Sequence, residues 1–277
     1  MTLSMEYHVC TIIIFISFCI IFQHHVEGAG GSFNKSYYPL WGTNHFSLVG
    51  GSEVQLLFDN SSGSGFTSKL VYGSGSFQIR MKTSNKPTNG VVTTFYLNNA
   101  NYGEDSKPHD EVDFEIFGIT PTLQTNVFAS DIGQREQRFQ LWFDPSKDFH
   151  SYTLLWNNQH ILFTVDEIPI RVYKRVKGVN FPTTPMRIEA STWHATWAAG
   201  DVDWSKSPFI SYYQGFDVTA CSPPQNCASS ELPWNKQKFM ELSPKQLELM
   251  RTYRNKYMTY DYCNTTANAH PECKVNI

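Results

Sequence analysis

The segment 109–116 has the sequence HDEVDFEI and places carboxylates at alternate positions, Glu111, Asp113 and Glu115. Period-two alternation is the pattern of a half-buried β-strand, which puts these three side chains on one face and the apolar ones on the other. An α-helix would scatter the acids around its axis. Because neighbouring like charges repel and carboxylates are poor strand formers, the row favours a chemical role over a structural one.

A pair of carboxylates is the usual machinery for cleaving a glycosidic bond. One is ionised and attacks or stabilises the anomeric carbon, and the other carries a proton to the leaving oxygen. Clustering favours this division because neighbouring charges raise the pKa of at least one acid, and Asp113 can hydrogen-bond one glutamate and help to set which acid stays protonated. Spacing alone assigns neither role. Two alternatives are a solvated acidic face and a hard-cation site that includes His109, for calcium or manganese.

The elements that would hold this segment are short strands. Runs of alternating or β-branched and aromatic residues are separated by turn residues, with almost no helical periodicity. The predicted strands are 54–58, 77–81, 91–97, 109–116, 123–128, 138–143, 152–156, 161–165, 170–173, 186–191 and 209–216. Residues 29–50 are predicted to be an irregular lead-in, and 60–65 a turn. Many short strands predict an all-β fold, either a two-sheet sandwich or a jelly roll.

The composition changes after Ala220. The segment 243–246, SPKQ, predicts a helix start with a serine cap, a proline in the first turn and a glutamine three residues after the cap. An apolar stripe at helical spacing follows, which can dock on the sandwich. Because this part is too small for a core of its own, we assign 29–220 to a β-domain and 221–277 to an extension of the same domain.

The N-terminus predicts export. Residues 9–22 are an apolar run, shorter than the about 20 residues of a membrane span, and small residues follow at 28–30. We assign 1–28 to a cleaved signal peptide, although no Lys or Arg precedes the run; a retained signal anchor is the alternative. Three sequons are predicted glycosylation sites if exposed, at Asn34, Asn60 and Asn264.

All four cysteines that remain after signal removal lie near the C-terminus, at Cys221, Cys227, Cys263 and Cys273. An even count in a secreted chain predicts two disulfides. Of the three possible pairings, short loop closure favours the neighbours, 221 with 227 and 263 with 273. Zinc is disfavoured because the spacings are six and ten and no CxxC is present. No metal and no cofactor is predicted.

The overall composition and charge limit the classes of partner that we expect the protein to bind. The net charge is −3 and no basic stripe is visible, which argues against nucleic acid. The chain carries 20 Phe, 14 Tyr and 7 Trp, a load that suits a β-rich fold and a surface that stacks on sugar rings.

The sequence HDEVDFE at 109–115 resembles the active-site motif HDEIDFE of plant xyloglucan endotransglucosylase/hydrolases, members of glycoside hydrolase family sixteen. Collinear matches span most of the mature chain. They include SGSGF at 62–66, FYL at 95–97, LQTNV at 123–127, REQ at 135–137, LWFDP at 141–145, PMRI at 185–188, DWSKSPF at 203–209 and PEC at 271–273. The resemblance implies a curved, concanavalin-like jelly-roll sandwich with a short helix-containing, disulfide-pinned C-terminal extension.

The resemblance also implies residue roles. Glu111 matches the nucleophile that forms a covalent glycosyl-enzyme, Glu115 the general acid/base, and Asp113 the residue that tunes the nucleophile. The positions that match the lining of the sugar cleft are Tyr96, Gln124, Asn126 and Arg135, and those that match aromatics stacking on the acceptor are Trp193 and Trp197. The alternatives are core packing for the two tryptophans and a surface ion pair for the arginine.

The implied function is cleavage and re-joining of the β-1,4-glucan backbone of xyloglucan during remodelling of the cell wall, in the apoplast. The partners would be a xyloglucan donor and an oligosaccharide or polymer acceptor, which must outcompete water. We expect a monomer without stable membrane association. The alternative is a catalytically weak, lectin-like protein of the same fold that binds wall polysaccharide.

Three features depart from the family pattern. The segment 117–121, FGITP, lacks the sequon that commonly follows the acidic strand, and the loop 193–204 is several residues shorter than usual. The segment 264–272 lacks the arginine that reaches the substrate in many relatives. The resemblance therefore leaves the balance of transfer to hydrolysis open.

Overall fold

A computed structural model describes residues 25–27, 33–101, 107–196, 200–266 and 270–275. In chain order the strands are β1 (His25–Glu27), β2 (Tyr37–Trp41), β3 (Phe46–Val49), β4 (Glu53–Phe58), β5 (Ser64–Ser68), β6 (Ser74–Lys82), β7 (Val91–Asn98), β8 (His109–Phe117), β9 (Thr122–Asp131), β10 (Gln137–Gln140), β11 (His150–Trp156), β12 (His160–Val165), β13 (Ile168–Lys174), β14 (Arg187–His194), β15 (Phe209–Cys221) and β16 (Met258–Asp261). The helices are α1 (Phe33–Ser36), α2 (Pro244–Tyr257) and α3 (Tyr262–Thr266). Short 3-10 turns span Thr43–His45, Trp204–Lys206, Pro233–Asn235, Gln237–Phe239 and Pro271–Lys274.

The strands form two antiparallel sheets of eight strands each within the described residues. The back sheet has the order β13-β12-β11-β6-β15-β4-β3, with β1 paired to β15. The front sheet has the order β16-β10-β9-β8-β7-β14-β5-β2. The predicted all-β sandwich is confirmed, and β8 lies near the middle of the front sheet.

The apolar face of β8 packs into the space between the two sheets. Val112, Phe114 and Ile116 are buried there, as their alternation predicts. The Phe114 ring centroid lies 5.4 Å from that of Phe163 and 5.6 Å from that of Tyr152, both on the back sheet. Since burying a side chain of this size contributes about 1.5–3 kcal/mol, this packing holds the acidic face of the strand outward.

The strand predictions fail mainly in the first half of the chain. The predicted lead-in contains β2 and β3, and the predicted turn runs into β5, which is buried between β14 and β2. Glycine and serine are poor strand formers, but here small residues are needed: a Cβ at Gly65 would lie 2.7 Å from Nε1 of Trp41. β10 ends at Gln140 rather than at residue 143. The Leu141 amide still donates in register to the carbonyl of Pro121, but a proline has no N–H with which to continue the ladder.

The C-terminal extension joins the sandwich in the manner predicted from its apolar stripe. Ser243 and Gln246 form a reciprocal capping box at the start of α2. Met250 of this helix is fully buried against Leu162 and Val172 of the back sheet. The following strand, β16, pairs with β10 and so extends the front sheet by one strand.

Both predicted disulfides are confirmed. Cys221 pairs with Cys227, and Cys263 pairs with Cys273. The segment predicted to be a signal peptide lies outside the described residues except for His25–Glu27, which pair with the end of β15. No helix in the described part of the chain is long and apolar enough to cross a membrane.

Candidate active site

The outer face of the front sheet carries a cleft of about 590 Å³. Glu111, Asp113 and Glu115 line it, since the apolar residues between them are committed to the core. Four further residues predicted from the sequence line the same cleft: Tyr96, Gln124, Asn126 and Trp193. The structure therefore brings seven of the predicted site residues together.

Strand register sets these side chains in rows across the sheet. Asp113 lies opposite Tyr96 on β7 and Asn126 on β9. Glu115, one row further along, lies opposite Thr94 and Gln124. Since cross-strand partners have Cβ atoms about 4.5–5.5 Å apart, each acid has a polar neighbour on β9 within reach.

Glu115 is the acid whose environment suits proton donation. Burial above all, together with the charge of Glu111, raises its pKa from 4.5 to about 7. The side-chain amide of Gln124, which donates a hydrogen bond to Oε2, and the charge of Arg138 oppose this shift. Arg138 also donates to Gln124 across 2.7 Å and so fixes the orientation of that amide. A carboxyl with a pKa near 7 can act as acid and as base at neutral pH.

Asp113 lies between the two glutamates and is more deeply buried than either. Burial raises its pKa well above the ordinary value, and the charges of Glu111 and Glu115 add to the effect. A protonated Asp113 can donate a hydrogen bond to Glu111, whereas its Oδ1 atom has no partner among the described residues. Asp113 is thus placed as a neutral donor to Glu111.

His109 contacts Glu111 from the start of the same strand. Its Nδ1 atom lies 2.6 Å from the carbonyl oxygen of Lys107, and its Nε2 atom lies 3.3 Å from Oε2 of Glu111. Because a carbonyl oxygen can only accept a hydrogen bond, the Nδ1 atom carries a proton. A hydrogen bond from Nε2 to the carboxylate of Glu111 would require a second proton, on Nε2. The ring stacks on Phe128 at 4.7 Å. In the described part of the chain, no group of three or more His, Cys, Asp and Glu residues is arranged to hold a metal ion.

The cleft contains another carboxylate that the sequence analysis missed, that of Glu189 on β14, which is buried. It lies opposite Tyr96, and its Oε1 atom accepts a hydrogen bond from Thr67 across 3.1 Å. Burial raises the pKa of Tyr96, and the charges of Glu189 and Glu111 raise it further, so the phenol stays protonated. Glu189 is four positions before Trp193 on one strand, and this even spacing is the signal that places both on the cleft face.

Trp193 is positioned for both of the roles weighed for it, stacking on a sugar and packing in the core. It lines the cleft, and it also packs against a small apolar cluster of Val92, Phe117 and Ala195. Trp41 of β2, which was not predicted as a site residue, also lines the cleft. Trp197 lies outside the described residues.

Arg135, which is predicted to line the sugar cleft, is placed behind the cleft wall. Arg135 is not among the described residues that line the cleft, and its side chain is only 7% exposed. Its guanidinium is occupied by buried ion pairs with Asp131 at 2.8 Å and Glu272 at 2.6 Å. The sequence alone could not reveal this, since Glu272 is 137 positions away along the chain.

The predicted glycosylation sites all lie at the surface. Asn34, Asn60 and Asn264 are exposed. Exposure is the condition under which a sequon can be modified, and their modification stays a prediction.

Two family models match the chain. Residues 33–209 match the model described as glycosyl hydrolases family 16, and residues 228–273 match the model described as xyloglucan endo-transglycosylase (XET) C-terminus. Among solved structures, a Bacillus licheniformis beta-glucanase matches with a TM-score of 0.58 at 22% identity, over 66% of this chain and 92% of that one. This likeness shows a shared fold.

Curated relatives match over most of the chain. Xyloglucan endotransglucosylase/hydrolase protein 3 of Arabidopsis thaliana is 44% identical over 248 residues, which cover 84% of each chain. Xyloglucan endotransglucosylase protein 34 of Populus tremula x Populus tremuloides is 41% identical over 263 residues, which cover 88% of each. The fold and the carboxylate site are those of a glycosyl hydrolase of family 16. Within that class, the chain belongs to the xyloglucan endotransglucosylase/hydrolase family.

Proposed function

We propose that this protein is a secreted, retaining enzyme that cleaves the β-1,4-glucan backbone of xyloglucan and re-joins it to an acceptor through a covalent glycosyl-enzyme. The observation that carries the proposal is the placement of Glu111 and Glu115 on one strand face, where Glu115 has a pKa of about 7. Relatives named as xyloglucan endotransglucosylases support the choice of substrate.

In the first half-reaction, an oxygen of Glu111 attacks the anomeric carbon of the donor glucan. Protonated Glu115 transfers its proton to the glycosidic oxygen as the C–O bond breaks, so the leaving chain departs as an alcohol. Asp113 donates a hydrogen bond to Glu111 and so orients the attacking carboxylate. The product of this step is a glycosyl ester on Glu111 and an ionised Glu115.

The second half-reaction uses the changed charge of the site. Once Glu111 is an ester, its negative charge no longer raises the pKa of Glu115. Ionised Glu115 is then stable enough to act as a base, and it takes a proton from the incoming hydroxyl as that oxygen attacks the anomeric carbon. The ester bond breaks, Glu111 regains its charge, and Glu115 is protonated again.

The incoming hydroxyl decides the product. Water gives hydrolysis, whereas a sugar hydroxyl gives transfer, which requires an acceptor that is held against the enzyme. Trp193, at one end of the cleft, supplies an aromatic surface for such an acceptor.

The location proposed for the enzyme is the apoplast, as a monomer. The apolar N-terminal run followed by small residues supports export, as do the two disulfides, which persist in oxidising compartments. N-terminal sequencing of protein recovered from apoplastic fluid tests this point, and a start near residue 29 is the expected result.

The activity is tested by incubating the protein with xyloglucan and a fluorescent xyloglucan oligosaccharide, then sizing the products. Label that enters long polymer is the expected result and shows transfer. Shortening of the polymer without incorporation shows hydrolysis alone. Binding of the polymer with neither outcome would contradict the proposal and favour a lectin-like protein.

A further inference from the structure

Glu272 is a fully buried carboxylate in the C-terminal extension, and no step of the reaction uses it. It lies in the 3-10 turn Pro271–Lys274, next to Cys273. One oxygen, Oε1, lies 2.6 Å from Nε of Arg135 and 3.4 Å from both the hydroxyl of Tyr262 and Nδ1 of His270. Burying a carboxylate costs free energy unless an opposite charge pairs with it. The main partner of Glu272 is Arg135, so the position of Arg135 indicates the role of Glu272.

Arg135 ties this carboxylate to the segment between β9 and β10. Its Nη1 atom donates to Oδ1 of Asp131 and to the carbonyls of Val127 and Gly133, at 3.1–3.2 Å. Its Nη2 atom lies 2.8 Å from Oδ2 of Asp131. A planar guanidinium with five donors can hold all of these groups at once, which an ammonium cannot. We call residues 131–136 the rim loop.

The rim loop forms part of the cleft wall. Ile132, which is 55% exposed, and Glu136 both line the cleft. The loop also holds Asn126, a cleft residue whose Oδ1 atom accepts a hydrogen bond from the backbone amide of Arg135 at 3.0 Å. Gly133 packs close to the ring of Phe128, another cleft residue. A shift of Arg135 would therefore move one side of the cleft.

We propose that Glu272 is a positioning residue for substrate binding: it anchors Arg135, and through it the rim loop, so that the C-terminal extension sets the shape of the cleft. The inference rests on the proposed function only for the identity of the substrate. The chain of contacts runs from Glu272 through Arg135 to Asp131 and Asn126, and none of these residues is assigned to the chemical step.

The first test measures the loop itself and needs no activity. In Glu272→Ala, hydrogen–deuterium exchange of peptides covering residues 126–136 should become about tenfold faster or more, because the loop loses its anchor. Peptides from α2 should exchange at the wild-type rate. The matched control is Glu231→Ala in the same extension, since Glu231 is exposed and its ion pair within the described residues is with the exposed Lys236. Wild-type exchange of the rim loop in Glu272→Ala would overturn the proposal.

The second test separates binding from chemistry. The KM of Glu272→Ala for xyloglucan should rise about 3- to 10-fold, while kcat stays within about twofold of the wild-type value. The KM of Glu272→Gln should lie between those of the wild-type protein and Glu272→Ala. Its amide oxygen can still accept a hydrogen bond from Arg135 but carries no charge. An unchanged KM in a variant whose loop has loosened would also overturn the proposal.

A second variant covers the case in which Glu272→Ala does not fold. Arg135→Lys keeps the charge but cannot bridge Glu272, Asp131 and the two carbonyls at once, so it should give the same faster exchange and the same rise in KM. Wild-type values for both would contradict the inference. If the wild-type enzyme itself neither cleaves nor transfers xyloglucan, the proposed function fails, and the exchange experiment still decides whether Glu272 anchors the loop.

Discussion

The carboxyl group of Glu115 accepts a hydrogen bond from the amide of Gln124, its cross-strand partner on β9. This bond lowers the pKa of Glu115, whereas burial and the charge of Glu111 raise it. The raising effects prevail, so the net pKa is about 7 and the acid is close to its midpoint at neutral pH. Each of these effects can be removed separately.

The pH dependence of kcat/KM reports this balance. The first half-reaction needs protonated Glu115, so kcat/KM should fall as the pH rises through about 7. Gln124→Leu removes the hydrogen bond that lowers the pKa while keeping the site dry, so the basic limb of the profile should move to higher pH. Measurement of initial rates between pH 5 and about 9 checks this.

Gln140→Leu is the matched control for that substitution, since Gln140 is exposed on the neighbouring strand β10. Its profile should coincide with that of the wild-type protein. A basic limb that stays in place in Gln124→Leu, or moves to lower pH, would show that Glu115 is not the group that titrates.

Removal of either glutamate should stop the reaction for a different reason. Glu111→Gln lacks a nucleophile and should lower both transfer and hydrolysis by about 10³-fold or more. Glu115→Gln lacks the acid and should lose about 10²- to 10⁴-fold. Activity is measured with the labelled acceptor, and circular dichroism verifies the fold.

Azide tests the assignment of Glu111 as the nucleophile. It should restore cleavage to Glu111→Ala, because it can occupy the place of the missing carboxylate and attack the anomeric carbon. Glu53→Gln on the back sheet serves as the control and should retain full activity. Wild-type-like turnover in Glu111→Gln would refute the assignment of the nucleophile.

The acidic strand was predicted from sequence because its signal is local. Period two requires no knowledge of the rest of the fold, and the alternation of Val112 and Phe114 with the acids assigns both faces of β8. The same applies to the capping box at Ser243 and to the short disulfide loops. By contrast, β5 was missed because its glycine, Gly65, is explained by close neighbours on other strands, chiefly the ring of Trp41.

Long-range pairing also explains where the side chain of Arg135 lies. Its motif places it near the cleft in sequence, and it does hold the rim loop, but its partner Glu272 comes from the end of the chain. Glu189 was missed for the opposite reason. Its signal is local, because Glu189 lies within the predicted strand 186–191 and an even four positions before Trp193, on the same face of β14.

Asp113 should tolerate an amide better than the loss of its polar group. Its pKa is raised well above the ordinary value, so it is a neutral hydrogen-bond donor to Glu111, and Asn presents a neutral donor of the same size. Asp113→Asn should retain kcat/KM within about tenfold, while Asp113→Ala should lose about 10- to 100-fold. Equal losses in the two variants would contradict a protonated Asp113.

Asp113→Asn should also change how the stability of the folded protein depends on pH. A carboxyl whose folded pKa exceeds its unfolded value contributes stability at low pH that is lost as the pH rises through the folded pKa. Wild-type thermal stability should therefore decline with rising pH by more than that of Asp113→Asn, which cannot ionise at this position. Parallel melting curves across the pH range check the sign.

Phe114 links the core to the site, because it lies between Asp113 and Glu115 and contacts Tyr152 and Phe163 of the back sheet. Phe114→Ala should destabilise the protein by about 3–5 kcal/mol, since it leaves a cavity between the sheets. Phe114→Leu should cost less. Denaturant unfolding measures the loss, and Ile119→Ala, which changes a residue that is 56% exposed, should have no comparable effect.

Trp193 should govern the choice between transfer and hydrolysis. An aromatic contact contributes about 0.5–1.5 kcal/mol, so Trp193→Ala should raise the KM for the acceptor by about 2- to 10-fold. Water needs no such surface, so the ratio of transfer to hydrolysis should fall by a similar factor, and Trp193→Phe should restore part of it. Trp204→Ala is the control, since Trp204 is 40% exposed and is not among the described residues that line the cleft. An unchanged ratio in Trp193→Ala would mean that Trp193 serves the apolar cluster with Val92 and Phe117 and that the acceptor is held elsewhere.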